Sequence, residues 1–254
     1  MWNRKELKAK GKAAFRANYW RSVLVALIAL LIMGGSAAVV GNSASQAGAE
    51  QGVETTEAAE TMELDQTELD QILAETPPEV LAGIVVVVLV MVWLASAVVA
   101  LVRALLFNPL IVGCQRFFLL NSDSPADLSE LAYGYKNNYS NMVKTLLLRD
   151  IFLLLWSMLF AIPGLIKSYS YRMVPYILAE NPSIGSREAI TLSRKMMNGH
   201  KWNAFMLDLS FIGWDFLAAI TLGLAGVLYV GPYQYATSAE LYKAIRALSK
   251  EKVD

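Results

Sequence analysis

The sequence holds one cysteine, Cys114, and one histidine, His200, in 254 residues. No disulfide can close within it, and a Cys/His metal site would need ligands it does not have. Charge is scarce as well. Asp, Glu, Lys and Arg make up 17% of the chain, where a soluble domain carries about a quarter. Between residues 41 and 79 there is no Lys or Arg at all, but ten Asp/Glu. Phosphate-binding glycine loops, metal motifs and nucleophile elbows are missing. The expectation is therefore a chain that is not an enzyme and takes no metal and no cofactor. Its basic residues are spread along helices flanking apolar blocks, which does not suit a nucleic-acid surface.

What the chain has is apolar surface: 56% of its residues are hydrophobic and the mean hydropathy is +0.41. The apolar residues come in blocks. "VLVALIALLIMGGSAAVV" (Val23 to Val40) and the uncharged "VLAGIVVVVLVMVWLASAVVALV" (Val80 to Val102) each approach the ~20 helical residues that cross ~30 Å of hydrocarbon. Pro77-Pro78 before the second suits a helix start. The basic segment before the first is too long and too helical for a signal peptide, so the first span is read as uncleaved. Leu148 to Asn181 is too long for one span, and Pro163-Gly164 near its middle predicts a break. Trp202 to Arg246 behaves likewise, with a turn expected around Thr221 to Gly226. Six spans result: 22–40, 80–102, 148–163, 165–180, 203–221 and 224–237, an all-α polytopic bundle of three hairpins in a single membrane domain, 1–254.

The Lys/Arg pattern sets the orientation. Residues 1–21 carry seven Lys/Arg and one Glu. With the 103–149 and 181–202 connections and the tail, they are expected in the cytoplasm of a bacterial cell, with both termini inside and the acidic 41–79 loop outside. Lys167 is the one charge on the other side, and could snorkel. That loop reads most simply as a solvated, partly helical excursion; capture of cations or of a basic peptide is the sharper alternative.

A device recurs before the hairpins. "NRKEL", "SPADL", "GSREA" and "TSAEL", starting at Asn3, Ser124, Gly185 and Thr237, each put a capping residue three before an acid, as a capping box does. "NYW", "NYS" and "NGHKW", starting at Asn18, Asn138 and Asn198, follow the first three. Amphipathic helices over about 3–18, 124–138, 185–198 and 237–250 are predicted, with Leu7, Gly11, Ala14 and Phe15 on one face of the first. They would lie on the cytoplasmic interface against anionic lipids, or pack on one another. Tyr19, Trp20, His200, Lys201 and Trp202 then fall where interfacial helix meets span, as interface anchors.

Five blocks in order carry a resemblance: "MWNRKELKAKGKAAFRANYWRSVLVALI", "FNPLIVGCQRFFL", "IPGLIKSYSYRMVPYILAENP", "EAITLSRKMMNGHKW" and "LDLSFIGW". Together they resemble a bacterial family of integral membrane proteins, domain of unknown function 975; the acidic loop looks like an insertion. The family is distantly similar to the membrane domain attached to some glycerophosphodiester phosphodiesterases, through the Pro-Gly span and the Gly-Trp helix that follows, without their catalytic domain. The resemblance implies fold and location, but no mechanism.

Charges inside spans are costly and normally face the bundle interior in pairs. Asp208 and Asp215 lie seven apart, on one helical face, and Arg172 falls between their depths on the antiparallel neighbour. They line a polar site for an ion, proton or headgroup, or form a structural bridge between hairpins. The tyrosines of the fourth and sixth spans are aromatic belts or the lining of that site. The function expected first is a non-catalytic membrane component, in envelope maintenance or as a partner of other membrane proteins or of a second copy. A transporter or a lipid- or small-molecule-binding bundle is the alternative.

Overall fold

A computed structural model describes residues 2–45 and 77–251. The chain is all-α. Most of the acidic 41–79 loop lies outside the described residues. Helices run α1 Arg4–Ala17, α2 Tyr19–Ser45, α3 Pro78–Asn121, a 3-10 turn Leu128–Ala132, α4 Tyr133–Lys136, α5 Tyr139–Leu159, α6 Ala161–Tyr171, α7 Val174–Glu180, α8 Ser186–Met196, α9 Lys201–Leu209, α10 Ile212–Ile220, a π segment Gly226–Val230 and α11 Gly231–Glu251. The chain divides into two compact units, Met1–Ala38 with Ala104–Asp254, and Val39–Arg103.

Among the described residues, two stretches are long and apolar enough to cross a membrane, Pro78–Asn121 and Lys201–Ile220. Arg4–Ala17 with Tyr19–Ile32, bent by 107°, adds a third if the pair is one span. Of the other expected spans, α5 carries Lys144, Arg149 and Asp150, and α6 and α7 are short helices separated at Arg172–Met173.

Three boundaries need correction. The second hairpin breaks at Phe160, extended at φ −160°, ψ 148°, not at Pro163-Gly164. Proline is at home in the first turn of a helix, where no N–H is needed, so Pro163 opens α6. Gly164 serves a close approach instead: a Cβ there would meet Ser157 Oγ at 2.7 Å. The expected helix over 237–250 is not a separate element, because α11 runs straight through it. Thr237 sits inside that helix and donates back to Tyr233 O at 2.8 Å, so it caps nothing. Over 124–138 only the 3-10 turn and α4 form, with Asp127, not Ser124, at the N-cap. Asn3 does cap α1, accepting from Lys5 N. Gly185 stands at the N-cap of α8 without a side-chain bond.

The amphipathic faces close on protein. Leu7, Gly11, Ala14 and Phe15 are the buried face of α1, which packs along α11; a Cβ on Gly11 would lie 2.8 Å from Thr237 Cα. On α8 the buried face is Ala189, Ile190, Ser193 and Met196, while Leu192 is exposed.

The N-Y pairs acquire a physical meaning. A proline within a helix withholds the N–H owed to the carbonyl four residues back. Pro109 does this to Leu105 O, and the Tyr139 hydroxyl donates there at 3.0 Å. In the π segment, the Tyr19 hydroxyl likewise donates to a backbone carbonyl, Leu228 O, at 3.1 Å. The preceding asparagines set the turns. Asn18 Nδ2 donates to Asn121 Oδ1 and to Ala126 O, both at 2.9 Å, and so fixes the bend between α1 and α2. Asn138 takes the left-handed conformation, φ 49°, which asparagine tolerates better than most residues. In the third copy Gly199, φ 81°, stands where the tyrosine would be.

Candidate functional site

Arg172 is placed by a break in the helix. The turn between α6 and α7 leaves backbone groups without helical partners, and Ser193 of α8 takes two of them. Its hydroxyl donates to Ser170 O at 2.8 Å and accepts from Met173 N at 3.2 Å. Arg172, held at this joint, reaches α9. Nη1 donates to Asp208 Oδ2 at 2.6 Å and Nη2 to Asp208 Oδ1 at 3.0 Å, the two-pronged geometry that makes guanidinium–carboxylate pairs strong. Nη2 also donates to Ser238 Oγ of α11 at 3.0 Å, and Tyr169 OH to Asp208 Oδ2 at 2.9 Å. Three elements thus meet at one ion pair.

Asp208 is four-tenths exposed and Arg172 about two-tenths. A cleft of about 380 Å³ on one side is lined by Gln115, Arg149, Tyr169, Tyr176 and the pair itself. A second, of about 430 Å³, reaches the pair past Phe211, Asp215, Gln234 and Tyr235. Asp215 is therefore near the pair but does not bond to Arg172: the chain turns at Ser210–Phe211 between α9 and α10, and Gln234 Nε2 donates to Asp215 Oδ1 at 2.7 Å. Lys8 of α1 bridges that turn, donating to Ser210 O at 3.0 Å with its ammonium over the Phe211 ring at 4.0 Å.

The residues read as interface anchors lie at element junctions. Trp20 and Trp202 are exposed, 75% and 66%; Trp202 rests its ring 5.4 Å from Phe205. His200 is the N-cap of α9, which Lys201 opens. Lys167 lays its ammonium over Trp156 at 4.3 Å.

A family model described as a protein of unknown function, DUF975, matches residues 80–249. The chain belongs to the DUF975 family. The match starts just past the acidic loop and takes in every residue of the Arg172–Asp208 centre; the N-terminal block that also carried the resemblance lies outside it. No curated protein and no solved structure matches this DUF975 chain.

Sequence reasoning placed Tyr169 among the tyrosines that could line this centre, and missed Ser238, Arg149 and Gln115. Ser238 was hidden inside "TSAEL", which reads as a cap, and Gln115 and Arg149 looked like residues of a loop and a span edge. It also missed a cluster at the tail. Tyr242 OH donates to Glu180 Oε2 at 2.6 Å, and Arg246 pairs with Glu180 Oε1. Burial first, and the Glu180 carboxylate second, push the Tyr242 phenol well above its ordinary value, so the hydroxyl stays a donor throughout the physiological range.

Proposed function

We propose that this DUF975 protein is a non-catalytic, multi-pass component of the bacterial plasma membrane that binds a polar headgroup or small molecule at the Arg172–Asp208 centre. In this reading the chain crosses six times with both termini in the cytoplasm. The 107° bend between α1 and α2 suits a helix along the interface meeting one that crosses. The Phe160 break suits a short hairpin.

The observation that carries the binding reading is that the ion pair is not sealed. An ion pair open to water adds little to stability, about 0–1 kcal/mol. This one stands between two clefts that reach Arg172, Asp208, Tyr235 and Ser238 from different sides. Exposure to a polar space lowers what the pair adds to stability and leaves its groups open to exchange for those of a ligand.

Labelling tests it. In a Cys114→Ala background, single cysteines at Ser168 and Ser238 should react with a hydrophilic maleimide in intact membranes. A centre closed to the reagent at both positions overturns the reading. Cysteines placed across 183–200 should react only after the cytoplasmic face is opened; reaction from outside sinks the six-span topology.

A further inference from the structure

The cleft on the Gln115 side is built for one class of ligand. Its lining has two guanidinium groups, Arg149 and Arg172, against one carboxylate, Asp208. Asp208 is already held by Arg172 and Tyr169. Arg149 gives Nε and Nη2 to one oxygen of Asp150, at 2.8 and 2.6 Å, and Asp150 is not among the lining residues. That pair uses one edge of the guanidinium and leaves Nη1 to donate elsewhere. The cleft therefore presents unused cationic donors.

Gln115 supplies a second, independent sign. It is 8% exposed, lines the same cleft, and its Oε1 has no hydrogen-bond partner among the described residues. Leaving a buried acceptor unpaired is costly, so the site calls for a donor there. An ammonium would be repelled by the two guanidinium groups; a neutral hydroxyl would not.

Resting on the binding reading above, we infer that this cleft takes a phosphate ester that carries a free hydroxyl, with the phosphate toward Arg149 and Arg172 and the hydroxyl toward Gln115. A glycerol-type phospholipid headgroup and a soluble glycerol phosphate share this chemistry. A fork of guanidinium donors matches phosphate oxygens, and the tyrosine hydroxyls nearby add neutral donors.

The test is native mass spectrometry of the full chain, delipidated and returned to mixed micelles of phosphatidylglycerol and phosphatidylethanolamine with matched acyl chains. Wild type should retain phosphatidylglycerol about tenfold over phosphatidylethanolamine, the upper worth of one neutral hydrogen bond. Arg149→Gln should lose most of that preference and Arg149→Lys keep part of it. Gln115→Leu, which fills the same volume without the carbonyl, should weaken retention several-fold. Melting in detergent shows which variants are folded. Millimolar glycerol phosphate that displaces the lipid assigns the site to the soluble ester; retention in its presence assigns it to the lipid. Equal retention of the two lipids by wild type, with no displacement by glycerol phosphate, overturns the inference. So does a folded Arg149→Gln or Gln115→Leu variant that retains phosphatidylglycerol as wild type does. If Ser168→Cys labels freely while these arms fail, the cleft is wet and only the ligand class is wrong.

Discussion

The two halves of α3 make a controlled contrast. From Val80 to Val102 the side chains are exposed almost without exception, although this uncharged stretch is the most apolar among the described residues. From Ala104 to Asn121 the same helix is less apolar and largely buried, with Asn108, Gln115 and Asn121 among the buried residues. Hydrophobicity and burial run in opposite directions along one element. In water that would be a fault. It is the expected order when the solvent of the first half is hydrocarbon and that of the second is protein. In the first half only polarity should matter; in the second, shape should matter more.

Breaking the contrast hardest means putting a charge where only hydrocarbon is tolerated. Val88→Arg should cost about 2.5–3.5 kcal/mol of insertion, read as loss of the protein from the membrane fraction. Next comes size in the second half. A Cβ on Gly113 would fall 2.2 Å from Leu131 O, a carbonyl that cannot step aside as a side-chain tip can. Gly113→Ala should lower stability by about 1–3 kcal/mol, seen as a lower melting temperature in detergent. The matching change in the first half, Val88→Ala, should stay within about 0.5 kcal/mol, and a larger loss would mean that this face packs on protein.

The smallest effect lies on α1. Lys10 hydrogen-bonds Glu6 at 2.8 Å and holds its carboxyl below the ordinary value. Because the folded value is depressed, the contribution is present above the unfolded value and fades as pH falls through the folded one. Glu6→Gln should therefore match wild type in acid and be slightly less stable at neutral pH. The pair is fully exposed, so a large difference in melting temperature at pH 7 would point to another role for Glu6.

The all-α class, the apolar face of α1 and the nearness of Arg172 to Asp208 were legible, because each rests on a periodicity or on the cost of a charge in an apolar helix. The joints were not. Pro163 signals a break, but it opens a helix as readily as it ends one, and only the extended Phe160 shows which. Thr237 reads as a cap until its hydroxyl is seen turned back on Tyr233. Arg149 and Gln115 are ordinary residues in sequence; what singles them out is a shared cleft between helices far apart in the chain. The N-Y repeat was visible as spacing. Its reason, a phenol donating to a backbone carbonyl of another helical segment, depends on partners over thirty and over two hundred residues away.

The helix α11 is a single shaft about 30 Å long at 1.5 Å per residue. Ser238, which holds Arg172, is one turn before Tyr242, which holds Glu180, and two turns before Arg246. With no break between these positions, the contacts to Arg172 and to Glu180 sit on one continuous helix. The Glu180 cluster and the Arg172–Asp208 pair are mounted on one axle.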